Sequence, residues 1–339
     1  MASPPLICTR PFEWFEIHPD GSVFLCCPAW LKRPAGNLLQ QPVEGIWNGP
    51  VAIELRKSIL NGSFHNCSAR RCPHLKRASG VLRPLTALPP GPVQEALAAG
   101  ESRLTYPPPR LNLCFDRACN LACPSCRSGR HRPDTAERRQ VARILDLVRE
   151  QLLPTAVDVT LSGFGEPFAA PGYRTLLHQI DRQACPRLER LFLHSNGQLF
   201  TPENWRALPN LHPLLAGVEI SVDAATAGTY AVNRPGGDFD RLLRNLAFIA
   251  GLGVPLKLSM VVQANNFREM SDLAGLARRL GARCYFSALV NWGTFSRREY
   301  ARRAVHLPGH PEHQAFLRLL DTLRALPHVD LGNLPAKLV

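Results

Sequence analysis

From residue 110 onward, short apolar runs alternate with longer stretches in which apolar positions return every three to four residues. The short runs predict strands over 110–116, 157–162, 190–194, 217–223, 255–262 and 283–290. The longer ones predict helices over 136–153, 173–183, 202–207, 239–250, 267–280 and 312–325. Strand–helix alternation of this kind builds a parallel sheet with helical crossovers. Six units, rather than the eight of a closed barrel, predict an α/β core shaped as an open, partial (β/α)6 TIM-like barrel. Ligands of parallel α/β folds gather at the carboxyl ends of the strands, so polar residues there are the first candidates for a site.

The texture before residue 110 is different. Residues 1–80 hold five cysteines and three of the five tryptophans. Within them, 17–27 reads as a hairpin turning at Pro19-Asp20-Gly21. Residues 81–109 are rich in Pro, Ala, Leu and Gly, with a short helix expected over 91–100. They end in Tyr106-Pro107-Pro108-Pro109, an extended polyproline connector. The expected division is a small cysteine-rich α+β module over 1–80, a connector over 81–109, a core over 110–310, and a C-terminal helix and tail over 311–339.

Composition narrows the class. Of 339 residues, 45% are hydrophobic and 20% charged, which supplies a core and argues against disorder. No apolar run approaches bilayer length, and residues 1–10 lack an export signal, so a cytoplasmic, non-membrane protein is expected. A net charge of +13 favours anionic partners such as an acidic peptide. The basic residues are scattered, without a compact block or an RNA-binding signature, which disfavours nucleic acid. Eleven cysteines in a reducing compartment point to metal binding or catalysis rather than disulfides. Cys114, Cys185 and Cys284 stand alone and read as small buried apolar residues.

Three cysteines follow the first core strand directly, in Cys119-Asn-Leu-Ala-Cys123-Pro-Ser-Cys126. Thiolates so spaced can converge from one tight loop. A [4Fe–4S] cluster takes four cysteines when sealed; a loop that supplies three leaves one iron open for a ligand. Zinc would need a fourth nearby donor, for which His131 is the candidate. A redox CxxC pair would leave Cys119 without a role. The loop resembles the signature of the radical S-adenosylmethionine (SAM) superfamily. That resemblance implies a cluster whose open iron chelates the amino and carboxylate groups of SAM, with reductive cleavage giving a radical that abstracts hydrogen from substrate. Many members place an aromatic residue just before the third cysteine; here it is Ser125.

The strand ends carry further motifs. Gly163-Phe164-Gly165-Glu166-Pro167 follows the second strand and resembles the family's GGEP motif with Phe164 inserted. By resemblance, the backbone at Gly163 and Gly165, together with Glu166, binds the SAM amino group. Ser195-Asn196-Gly197 ends the third strand and is similar to the family's TNG segment. Ser221 and Asp223 end the fourth, share a face by alternation and suit ribose hydroxyls; Asp223 is equally a candidate helix cap or loop anchor. Asn265-Asn266 reads as a cap for the next helix. The loop 233–238 resembles one found near the active site of related sequences, where Arg234 either holds a carboxylate or is solvated.

The N-terminal block resembles the SPASM or Twitch auxiliary-cluster module, which usually follows the radical SAM core and here precedes it. The resemblance implies a second [4Fe–4S] cluster on Cys8, Cys26, Cys67 and Cys72, with Cys27 as the substitute for Cys26; structural zinc is the alternative. The function so implied is radical hydrogen abstraction from a substrate, a peptide first. The alternatives are oxidation or epimerisation of a small molecule or sugar, RNA or cofactor modification, and a non-enzymatic metal-binding module. An electron donor such as flavodoxin or ferredoxin is the expected partner. No residue stands out as a proton donor or base.

Overall fold

A computed structural model describes residues 6–31, 33–69, 71–72, 74–75, 82–161 and 163–334. Ser162, which ends the second predicted core strand, lies outside the described residues, as do 1–5 and 76–81 of the N-terminal region and 335–339 of the tail. The strands are β1 (Leu6–Cys8), β2 (Trp14–Ile17), β3 (Ser22–Phe24), β4 (Gly36–Asn37), β5 (Leu82–Pro84), β6 (Arg110–Leu113), β7 (Asp158–Leu161), β8 (Arg190–Ser195), β9 (Leu215–Ser221), β10 (Leu256–Val262), β11 (Arg283–Ala288) and β12 (Val329–Asp330). The six strands expected past residue 110 are β6 to β11. The protein is mixed α/β, and its strand pairings are mostly parallel. No described helix is long and apolar enough to cross a membrane.

Two compact units divide the chain. The first comprises 1–117, 133–164 and 175–191. Here β6 pairs in parallel with β7 on one side and with β2 on the other. The turn at Pro19-Asp20-Gly21 joins β2 to β3 as an antiparallel hairpin, and β4 adds to β3. β1 and β5 form a separate antiparallel pair. The helix Thr135–Gln151 starts at a capping box between Asp134 and Glu137, and turns Ile144, Leu145 and Val148 inward. Arg56 is fully buried on the helix Pro50–Leu60. Its guanidinium donates to the carbonyls of Pro11 (2.8 Å) and Ser102 (3.1 Å) and lies 4.4 Å from the Trp47 ring centroid. Burial pulls its pKa down to about 10, against the pull of nearby Tyr106 and Glu44.

The second unit comprises 118–132, 165–174 and 192–339. β9, β10, β11 and β12 pair in parallel in that order, with β8 beside β9. Burial alternates along β9 and β11, so one face is sealed while the other keeps access to water. The helices Phe239–Ala250, Met270–Arg279 and His313–Arg324 lie where periodicity places them, with Leu246, Leu273 and Leu320 among their buried residues. Two helices of this unit escaped prediction, as did Pro50–Leu60 in the first. Ala227–Asn233 spans only seven residues, and Arg297–Arg303 carries no apolar stripe. The strand expected to run through residue 223 ends at Ser221, and Asp223 turns to a φ of 60°.

Candidate metal centre

The loop carrying Cys119, Cys123 and Cys126 belongs to the second unit. It closes as a turn, with the amides of Cys126 and Arg127 both donating to the Cys123 carbonyl at 3.0 Å. Every sulfur meets an N–H donor. Cys119 Sγ accepts from the Leu121 amide at 3.4 Å and from Asn196 Nδ2 at 3.8 Å. Cys123 Sγ accepts from Arg234 Nη1 at 3.6 Å, and Cys126 Sγ from Arg127 Nη2 at 3.5 Å. Cys123 is buried, Cys119 half-buried and Cys126 exposed. Burial pushes the Cys119 and Cys123 thiols up, opposed at Cys119 by the Leu121 amide and at Cys123 by Arg234. Cys123 interacts electrostatically with both of the others. Among the described residues no three His, Cys, Asp or Glu side chains close around one ion-sized point; the convergence is pairwise. Three sulfurs on one turn, each facing a donor and two of them a guanidinium, are a donor set chemically suited to anionic thiolates on an iron–sulfur cluster.

The strand-end residues are drawn together around this loop. Glu166 is 1% exposed, and both its oxygens are engaged. Oε1 accepts from the Ser195 hydroxyl (2.6 Å) and Oε2 from the Asn196 amide (2.7 Å). Burial raises its pKa to about 7 in spite of those bonds. Asn196 reaches the cysteine loop itself, donating to Asn120 Oδ1 at 2.8 Å. Glu166, Ser195 and Asn196 thus form one buried cramp on the loop. Gly163, in the first unit, has a φ of 88°, and a Cβ there would sit 2.6 Å from Cys114 Sγ, so the position tolerates only glycine. Gly165 is also left-handed, with a φ of 77°.

Ser221 and Asp223 find different partners. The Ser221 hydroxyl lies 2.8 Å from His194 Nε2. Asp223 is 2% exposed; its Oδ1 accepts from the Val261 amide at 2.7 Å and its Oδ2 pairs with Arg234 Nη2 at 2.7 Å. Asn266 donates to the Asp223 carbonyl at 3.0 Å and closes its own turn by accepting from the Gln263 amide. Sequence reasoning left Arg234 undecided between a carboxylate partner and solvent. Its side chain is 11% exposed and touches both Asp223 and a loop sulfur. Sequence reasoning also missed His194, Glu219, Lys257 and Tyr285, which together with Ser221 form a polar strip on the water-accessible face of β8 to β11. Burial holds the His194 pKa below its usual value, helped by Lys257 and opposed by Glu219. The alternation i, i+2 that placed Ser221 and Asp223 on one face was the available signal for Glu219.

In the first unit, Cys8, Cys26, Cys67 and Cys72 line a single small cavity together with Trp30 and Leu31. Cys26 Sγ accepts from the Trp30 indole N–H at 3.2 Å. Cys27 does not line the cavity. Burial pushes Cys8 and Cys26 up, and at Cys8 the neighbouring Cys26, Cys67 and Cys72 add to the shift. Cys114, Cys185 and Cys284 are buried, as expected of isolated apolar cysteines.

Comparison with known proteins finds a family model over each of the two regions. The model of the Radical SAM superfamily matches residues 114–277, and an iron–sulfur cluster-binding domain, SPASM, matches 8–73. Mycofactocin maturase MftC of Mycobacterium tuberculosis is 31% identical over 202 residues, covering 53% of this chain and 48% of its own. PqqA peptide cyclase of a Methylobacterium species is 30% identical over 213 residues, covering 61% and 52%. The chain spans about half the length of these curated relatives. Among solved structures, Streptococcus suis SuiB bound to S-adenosylmethionine aligns over 97% of this chain and 71% of its own, at 14% identity and a TM-score of 0.44.

Proposed function

Because this chain belongs to the radical SAM superfamily and carries an N-terminal iron–sulfur cluster-binding domain, we propose that it cleaves S-adenosylmethionine reductively and abstracts hydrogen from a peptide, as a maturation enzyme. The observation that carries the proposal is the loop of Cys119, Cys123 and Cys126, three sulfurs each met by a nitrogen donor. Cys119, Cys123 and Cys126 would hold a [4Fe–4S] cluster, which would supply the electron for the cleavage and a binding point for SAM. The protein's own part is to hold the loop and to exclude water. Glu166 fixes the Ser195–Asn196 turn, and Asn196 passes that fixity to Asn120 and Cys119. By resemblance, the backbone at Gly163 and Gly165 and the Glu166 carboxylate would bind the SAM amino group, while Ser221 and Asp223 suit ribose hydroxyls. A second cluster is assigned to Cys8, Cys26, Cys67 and Cys72, all of which line one cavity.

The proposal divides the chain into a module over 1–80, a connector over 81–109, a core over 110–310 and a C-terminal segment beyond. It includes an electron donor of the flavodoxin or ferredoxin class. It also includes a reducing, cytoplasmic setting, the reading under which eleven cysteines serve metal binding rather than disulfides. A peptide substrate is supported by two matched relatives, a peptide cyclase and a maturase, and by the net charge of +13. A small-molecule substrate is the second reading, since AdoMet-dependent heme synthase of Nitratidesulfovibrio vulgaris also matches, at 24% identity over 173 residues. The test is anaerobic reconstitution followed by reduction with SAM. The expected product is 5′-deoxyadenosine, absent from the variant with all three loop cysteines changed to Ala. Production of it by that variant sinks the proposal. Mass loss or crosslinking in a candidate peptide then separates the two substrate classes.

A further inference from the structure

We propose that Arg234, oriented by Asp223, is a positioning residue that sets the reduction potential of the cluster on Cys119, Cys123 and Cys126. This rests on the cluster assignment above. The guanidinium has its work divided. Nη2 pairs with Asp223 Oδ2 at 2.7 Å and Nη1 donates to Cys123 Sγ at 3.6 Å, while Nε is buried without a partner. A buried guanidinium with an idle donor is a poor device for stability alone. Both ends of the relay are fixed. Asp223 is held at its carboxylate by the Val261 amide, and at its carbonyl by the amides of Asn233 (2.9 Å) and Asn266 (3.0 Å). Arg234 is held at its backbone, where its amide donates to the Tyr230 carbonyl at 2.7 Å. The next residue, Pro235, accepts from the Ala122 amide at 3.1 Å, which ties the arginine loop to the cysteine loop.

The physical consequence follows from charge. Reduction adds an electron that spreads over the cluster and its cysteine sulfurs. A cation and an N–H donor fixed on one of those sulfurs stabilise the reduced form more than the oxidised one, and so raise the potential. The burial of Arg234 keeps that interaction from being screened away. A guanidinium stays protonated at every working pH, so the charge persists. Arg127, at the exposed Cys126, acts in a wetter setting and has less leverage.

The test is a redox titration of the full, anaerobically reconstituted chain. It follows the electron paramagnetic resonance signal that changes when SAM is added, which separates this cluster from the auxiliary one. Arg234→Gln should lower the midpoint by an amount equal to about a tenfold change in the oxidised-to-reduced ratio, about 59 mV for one electron. Arg234→Lys keeps the charge and loses the planar fork, so its shift should be smaller and in the same direction. Arg268→Gln, on an exposed arginine paired with Glu312, should shift nothing. If Arg234→Gln fails to take up iron, Arg234→Lys decides alone. A loaded variant at the wild-type potential overturns the proposal. A wild-type chain that takes up no cluster overturns the assignment beneath it, and the proposal with it, which is a distinguishable result.

Discussion

The two cysteine sites solve opposite problems. The loop site draws three sulfurs from eight consecutive residues, leaves Cys126 exposed, and surrounds the group with polar donors from Asn196, Arg127 and Arg234. The N-terminal site gathers four sulfurs from positions 8 to 72 around a cavity walled by Trp30, Leu31 and Phe64. One is a local structure that a short sequence motif can specify. The other exists only once β1, the hairpin exit and the segment after the helix Pro50–Leu60 have folded together. A local site with an open edge suits a cluster that must take a ligand. A dispersed site with an apolar wall suits one that is sealed, and whose metal doubles as a staple for a region of modest core.

The sharpest way to break this comparison is to remove each set in turn. Changing Cys119, Cys123 and Cys126 together to Ala should abolish 5′-deoxyadenosine formation and halve the bound iron, a loss of about four irons, while thermal unfolding moves little. Changing Cys72 to Ala should also cost about four irons but lower the unfolding midpoint strongly, because metal binding there is coupled to folding. Equal thermal effects from the two sets would erase the distinction. Within the N-terminal site, Cys26→Ala should lose the second cluster and Cys27→Ala should keep it, since Cys26 alone of the pair lines the cavity.

A smaller effect is expected where the first unit is braced without metal. Arg56→Leu strands the carbonyls of Pro11 and Ser102 and should cost about 2–4 kcal/mol in urea unfolding. The same substitution should leave the potential of the loop cluster unchanged. The smallest effect belongs to the second unit. Burial pulls His306 down to about 4, aided by His313 and His310. Its neutral ring is therefore favoured by the fold. That contribution is complete above about pH 6.5 and disappears as the pH falls towards 4, because the unfolded chain takes up the proton first. Urea midpoints at pH 7 and pH 5 should differ less in His306→Leu than in the wild type.

The sequence yields its periodic parts and hides its contacts. β6 to β11 and the six helices between and after them follow from alternation and helical period, because their burial repeats along the chain. Arg297–Arg303 is invisible to that criterion, since its five charged residues leave no stripe. Asp223 shows the limit differently. Alternation predicts its face, but the strand stops two residues earlier, and a left-handed φ turns its carboxylate to Arg234 and Val261. Arg234 lies in an Asn-Arg-Pro-Gly-Gly-Asp stretch that reads as a solvated loop; its burial comes from partners 11 and 111 residues away. A dispersed site such as the four-cysteine cavity likewise has no local spacing rule, so only resemblance brings its members together.

The unequal exposure of the loop cysteines makes the protein its own gauge. In the metal-free chain an alkylating reagent meets Cys126 first and Cys123 last, because one sulfur faces water and the other is buried under a guanidinium. A bound cluster would cap all three at once. The order and speed of thiol labelling therefore distinguish empty, damaged and loaded molecules in a preparation, before any assay of turnover.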